Sequence, residues 1–494
     1  MSDRPHRITP SRAPSIYPPS PITPPHFLAL APHPNNAAPS APPRPTLPPP
    51  PPGWSRSFHA VPAAYPKQLR ESHGTLSRES EPFGNTCPIP GESKAERKVR
   101  VDGAVGAAVL ARLDATEWTL EEGLQAAPAG LFMAVERWTR DKPVGGHTLV
   151  CTHPNGTQKE HWHPTLRRIL ASDAPPQAFG TGEPLPAAPV LIDDIWLLDH
   201  WNHGSSVDLN EGRLGCAEVW DDVGRDILNF ILHVLPTAKK AAPTALPWQL
   251  PWAAEGAAPP IKVMGLGGSY GGLGHVMAAH ARPDAYHGVF LADSLIQPRA
   301  MDRVEIGAEN EEDVGTSRVR GAMKRRDAWS SRAEASRTWL KNPFYAAWHP
   351  EVFELTLSHG LVRANAYGTD REGNPNTDDA PVVLATPTWA EASVFIEPKS
   401  SGRTWDMLPQ LKVPVAFLVA QNRFPRTLQR DMVWRAPLAR NEELPSTGHL
   451  CLQENPPAVA EAAVRFFQTL AAGRWGTAES IRATYEALEG KAKL

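Results

Sequence analysis

From about residue 128 the chain alternates short apolar runs with longer helical patterns and polar turns. "LFMAVERW", "HTLVCTHPNG" and "IDDIWLLDHWNHG" read as strands with polar exits, and "GCAEVWDDVGRDILNFILHVL" as an amphipathic helix. "IKVMGLGGSYGG" runs into "LGHVMAAHARP", which predicts a strand, a tight turn and a helix. "YHGVFLADSLI" and "VPVAFLVAQ" predict two further strands, and "PPAVAEAAVRFFQTLAAG" a closing helix. Such alternation predicts an α/β fold with a mostly parallel central sheet flanked by helices.

Two stretches break the rhythm. Residues 1–66 are proline-rich, with "PPPPP" at Pro48 to Pro52, and are expected to lack structure, because proline donates no amide and few large apolar residues are clustered there. An SH3 or WW ligand is the alternative for that segment. Residues 297–405 hold charged helical patterns and the polar loop "YGTDREGNPNTDDAP", the texture of a lid over a pocket. The expected organisation is therefore a tail (1–66), the first part of a core (67–296), a helical lid (297–405) and the rest of the core (406–494).

Charge narrows the partners. Fifty Lys and Arg face 53 Asp and Glu, a net charge of -3, without the basic excess of a general nucleic-acid binder. Four scattered cysteines form no CxxC pair and read as free thiols. No apolar run is long enough for a membrane span, and no secretory leader is expected. The final Ala492-Lys493-Leu494 matches the small-basic-leucine pattern read by a peroxisomal import receptor, so the expected location is the peroxisomal matrix.

The turn "GLGGSYGG" carries the chemistry. A dinucleotide fingerprint fails at Tyr270, and a P-loop fails because Leu273 follows Gly272. Gly267 to Gly271 instead spell GxSxG between a strand and a helix, the setting of a nucleophilic Ser269. Its base is expected to be His449, on a loop before the last helix. His275, His280 and His287 have structural or surface readings.

The acid is less direct. Arg423 stands after "VPVAFLVAQN", where an acid would be well placed, and cannot accept a hydrogen bond from imidazole. Glu442 and Glu443 lie shortly before His449, and Asp431 sits on an expected helix. Asp293, at the carboxyl end of "GVFLAD", is on the edge where such sheets gather their functional groups. It is preferred, with Asp431 the runner-up.

These motifs resemble the α/β-hydrolase superfamily, and within it the fungal peroxisomal α/β-hydrolases, a group that includes a lipase and an acyl-CoA hydrolase. The resemblance covers roughly residues 125–494 and rests on "THPNGTQKEHWHP", "IWLLDHWNHGSSVDLNE", the GxSxG turn, "LADSLI", "NPFYAAWHPEVFELTLSHGL" and "GHL". It implies that Asp293 is the acid, and that the backbone amides of Thr157 and Tyr270 form the oxyanion hole. Gly268 departs from the histidine that many relatives carry before the nucleophile, and the proline-rich head is unusual.

His153, His161 and His163, and then His200 with His203, could ligate zinc, yet no carboxylate–histidine signature accompanies them. "KRR" (Lys324 to Arg326) could meet the phosphates of a CoA ester, though a solvated helix face is the plainer reading. No metal or cofactor is expected. The expected function is hydrolysis of an ester or thioester, with an acyl-CoA as one substrate. A lipase or carboxylesterase acting on neutral esters, and a non-catalytic binding protein, are the rivals. A homodimer is compatible with the sequence.

Overall fold

The computed structural model describes residues 27–34, 37–42, 47–87, 89, 91–126, 128–187, 189–239, 246–256, 261–298, 314–364, 380–397, 400–421 and 426–491. Eight strands form the central sheet. They are β1 (Trp54–Pro62), β2 (Phe132–Arg140), β3 (His147–Thr152), β4 (Ile192–Leu198), β5 (Val263–Gly268), β6 (Tyr286–Ala292), β7 (Val415–Ala420) and β8 (Ala439–Leu444). Their spatial order is β1-β2-β4-β3-β5-β6-β7-β8. β1 and β4 each pair antiparallel with β2, and the pairs from β4 through β8 are parallel.

The central strands are buried along nearly their whole length because both faces of the sheet are covered, as a parallel sheet requires. Successive side chains alternate between two cores. Val150 of β3 packs into one with Trp196 and Val289, while Leu149 and Cys151 enter the other with Ile195 and Phe290.

The helices that cover the sheet and build the lid include α1 (Lys94–Leu113), α2 (His163–Leu170), α3 (Asp221–Asn229), α4 (Ser269–Ala281), α5 (Val314–Lys324), α6 (Pro350–His359), α7 (Thr388–Ile396), α8 (Ser400–Met407) and α9 (Pro456–Ala471). Residues from α3, α4 and α8 fill the first core, and residues from α2 and α9 fill the second.

β1 corrects the expectation for residues 1–66. "WSRSFHAVP" contains no proline before its last position, and all nine residues pair with β2, from Trp54 opposite Arg140 to Pro62 opposite Phe132. An edge strand needs hydrogen-bonding groups on one side only, so a proline at its end costs little. The preceding prolines are also held, since Arg56 donates to Pro48 O at 2.9 Å and Arg167 to Pro49 O at 2.6 Å.

α3 is shorter than its pattern predicts. A π-turn at Phe230–Val234 and a short helix at Leu235–Ala238 complete the stretch. Its polar face is buried, not solvated. Lys67 Nζ lies 2.6 Å from Asp226 Oδ1, and both side chains are almost fully enclosed. Removing one partner of such a pair costs about 3–5 kcal/mol, which ties residues 64–70 firmly to α3.

The lid also differs from its expected bounds. Three short strands (Ala328–Trp329, Leu361–Arg363, Val382–Leu384) form a small sheet beside α5, α6 and α7, with Val382–Leu384 in the middle. α8 crosses the expected boundary at 405 and packs beneath the main sheet. α1, placed by sequence in the core, instead joins the lid. Its Val101, Val105 and Val109 pack with Val319 of α5 and Ile396 of α7. The polar loop at 367–381 lies largely outside the described residues.

Candidate active site

The carboxyl ends of β5 and β6 and the loop before α9 bring together the side chains that the sequence singles out, beside the turn after β3. β5 ends in Gly268, and α4 begins at once with Ser269, whose φ is +47°. A left-handed backbone at a non-glycine residue costs of order 1–3 kcal/mol and persists only where packing enforces it. The glycines allow that turn to close. A Cβ on Gly267 would lie 2.2 Å from Gly272 Cα, and one on Gly272 would lie 1.9 Å from Ser294 Oγ.

Ser269 Oγ lies 2.8 Å from His449 Nε2, and His449 Nδ1 lies 2.7 Å from Asp293 Oδ2. Asp293 follows β6 directly, also with a positive φ, of +48°. Its amide donates to Leu418 O at 2.8 Å, and its Oδ1 accepts from Ala420 N at 3.0 Å. The carboxylate is therefore fixed by β7 while its second oxygen meets the imidazole. The histidine loop is braced where Gly448 N donates to Glu454 Oε2 at 2.6 Å. The His449 side chain keeps 33 % of its surface, whereas that of Asp293 keeps 2 %.

The other acids lie elsewhere. Asp431 is on the helix Arg426–Arg435, and the Nδ1 of His449 is already engaged by Asp293. Glu442, on β8, pairs with Arg465 at 2.7 Å. Arg423 lies outside the described residues, as does Ala492-Lys493-Leu494.

The two amides expected to form the oxyanion hole differ in their surroundings. Tyr270 is in the first turn of α4, where amides have no partner within the helix. The amide of Thr157, however, donates to Pro154 O at 3.3 Å, and its hydroxyl donates to the same oxygen at 2.8 Å. The tight turn Pro154–Thr157 directs this amide inward, a geometry that spacing alone does not reveal. Within the same turn, the Asn155 amide nitrogen Nδ2 donates to Glu391 O of α7 at 3.0 Å. Gly156 adopts φ +69° against the Glu391 carboxylate.

The histidines considered for zinc are all committed to hydrogen bonds. His153 Nδ1 donates to Pro154 O at 2.8 Å, and its Nε2 accepts from the His200 amide at 3.2 Å, which makes it the neutral Nδ1–H form. His200 Nε2 donates to His153 O at 2.9 Å. His161 contacts Thr356 Oγ1 and the Gln453 amide, and His163 contacts Glu136, each at 3.0 Å. Burial holds His153, His200 and His203 well below the usual imidazole range, and His161 near 3. Among the described residues no group of three or more His, Cys, Asp or Glu is arranged to hold a metal ion.

Of the "KRR" run, Arg325 pairs with Glu391, and Arg326 pairs with Glu334 at 2.8 Å. A cavity of about 50 Å³ lies between Asn155–Thr157, Leu450 and the lid aromatics Trp339, Tyr345 and Trp348. A larger one, about 300 Å³, lies between residues 78–87 and the lid, and neither Ser269, His449 nor Asp293 lines it.

The sheet order, the GxSxG turn between β5 and α4, and the lid together define the α/β-hydrolase fold. By sequence the chain is similar to the peroxisomal membrane protein LPX1 of Saccharomyces cerevisiae, 25% identical over 255 residues, which are 50% of this chain and 56% of that protein. The chain thus spans little more than half the length of the curated relative it matches. No family model matches. Among solved structures it is similar to the peroxisomal α/β-hydrolase Lpx1 from Saccharomyces cerevisiae, with a TM-score of 0.53 and 15% identity, covering 84% of this chain and 88% of that one. A looser likeness, TM-score 0.41 and 15% identity, joins it to a thermophilic esterase from Thermogutta terrifontis, over 70% of this chain and 96% of that one. Among the described residues, no helix is long and apolar enough to cross a membrane.

Proposed function

We propose that the chain is a serine hydrolase of carboxylic esters or thioesters, acyl-CoA thioesters among them, and that it acts in the peroxisomal matrix. The observation that carries this reading is the continuous contact from Ser269 Oγ through His449 to Asp293, at 2.8 and 2.7 Å, with the serine held in a left-handed turn. A serine hydroxyl needs such a base to become a nucleophile.

In this mechanism Ser269 Oγ attacks the acyl carbon while His449 Nε2 takes its proton. Asp293 keeps the imidazole in the Nδ1–H tautomer and stabilises its cationic form. The C–O or C–S bond then breaks, the leaving group takes the proton from His449, and an acyl-Ser269 ester remains. Water, deprotonated by the same histidine, attacks that ester and releases the acid and free Ser269. The Tyr270 amide, at the N-terminus of α4, faces the developing oxyanion, where a donor is worth about 10²–10³ in rate.

A fluorophosphonate probe tests the nucleophile directly. Wild-type protein should be labelled at Ser269, and Ser269→Ala should not. Absence of labelling in folded wild-type protein would favour the non-catalytic rival. A panel of acyl-CoAs and oxygen esters of the same acids then separates a thioesterase from a lipase or carboxylesterase.

Residence in the peroxisome is supported by the C-terminal tripeptide and by the peroxisomal relative. A fluorescent fusion at the N-terminus should enter peroxisomes and become diffuse when Ala492-Lys493-Leu494 is deleted. Unchanged import after that deletion would refute the tripeptide's role.

A further inference from the structure

Behind the nucleophile lies a buried polar chain that takes no part in the acyl transfer itself. Tyr270, next to Ser269, donates its phenol hydrogen to Glu218 Oε1 at 2.6 Å. The other carboxyl oxygen of Glu218 contacts the side-chain amide of Asn202. The opposite end of that amide lies 2.7 Å from His203 Nδ1, and His203 Nε2 lies 2.9 Å from Asn155 Oδ1. Asn155 is oriented independently, because its Nδ2 is spent on Glu391 O. Glu218, Asn202, His203 and Tyr270 each expose 1 % or less of their surface.

Counting protons decides how this chain is wired. If Asn202 points its nitrogen at Glu218, its oxygen faces His203 Nδ1. Both imidazole nitrogens then face carbonyl oxygens, so His203 must be a cation and Glu218 an anion. If the Asn202 amide is turned over, Glu218 donates its own proton to Asn202 Oδ1. Asn202 Nδ2 then donates to His203 Nδ1, and His203 Nε2–H donates to Asn155. The two arrangements contain the same number of protons, and oxygen and nitrogen of an amide are interchangeable in shape. Only the second leaves the Glu218–His203 chain uncharged, and in the interior an ion pair separated by an amide is poorly compensated.

We propose that Glu218 is a positioning residue which, as a neutral acid, heads a one-way relay through Asn202 and His203 to Asn155. The relay fixes the loop after β3 relative to Tyr270 beside the nucleophile. The electrostatic surroundings agree. Burial, with Asp222 and Glu397 nearby, raises Glu218 to about 7, and burial, with His200 and Arg325 nearby, lowers His203 well below its usual range. The kinetic half of this inference rests on the hydrolase reading; the protonation half does not.

Infrared difference spectra of the full-length protein at pH 6 test the protonation. Wild type should show a buried carboxylic-acid C=O band that is missing in Glu218→Gln. Its absence from wild type would overturn the neutral relay, whether or not Ser269 reacts with a fluorophosphonate. Kinetics test the positioning. Glu218→Gln, which donates to Asn202 and accepts from Tyr270 as the acid does, should keep kcat within about threefold, whereas Glu218→Ala should lose about ten- to hundredfold in kcat with KM little changed. Equal losses in both variants, or losses confined to KM, would overturn the positioning role. His203→Ala, which cuts the relay at its far end, should reproduce the Glu218→Ala loss, and full activity in it would also count against the relay.

Discussion

Replacing Ser269 with alanine should lower kcat by on the order of 10⁶, leaving only the rate that binding and the oxyanion donors supply. The size follows from covalent catalysis, in which no other group can take over as the acyl acceptor. The fold should survive the change. Ser269 is held at φ +47° by the close approach of Gly267 and Gly272, and alanine bears the same backbone strain. Comparing kcat for hydrolysis of an activated ester by the two proteins, together with their thermal unfolding, checks both points. A loss below about 10² with native stability would mean that water is activated without an acyl-enzyme.

Asp293→Asn should lower kcat by about 10⁴, because an asparagine amide turned toward Nδ1 stabilises the wrong imidazole tautomer. The geometry is otherwise kept, since an asparagine oxygen can still accept from Ala420 N, as Asp293 Oδ1 does at 3.0 Å. Asp431→Asn, on the helix Arg426–Arg435, should stay within about threefold of wild type, as a change away from the site does. Steady-state assays of the two variants decide between the acids. The reverse pattern would move the acid to Asp431.

The three side chains in contact at the site can be picked from the chain because each sits at the end of an apolar strand or just before a helix. Those boundaries survive in any sequence that must build a buried sheet. Arg423 lies outside the described residues, so Asp293 rests on its own bonds to β7 and His449.

What the sequence hid has physical causes. β1 is masked by the prolines that precede it. β8, "ARNEEL", carries two glutamates and lacks an apolar run that would mark a strand, but its position beside β7 buries Glu442 against Arg465. The family resemblance points to the Thr157 amide without the turn that directs it to Pro154 O. Although the helix itself begins at Asp221, Glu218 falls within the stretch that reads as an amphipathic helix. Its facing of Tyr270, and its link to Asn155 through Asn202 and His203, depend on three loops that meet only in the folded chain.

The partnership of α1 with the lid has a consequence for how the protein is made. α1 emerges from the ribosome with Val101, Val105 and Val109 uncovered, and their partners on α5 emerge about 200 residues later. At ~5–20 residues per second this apolar stripe waits roughly 10–40 s for its cover, an interval in which a chaperone or a neighbouring nascent chain can bind it first.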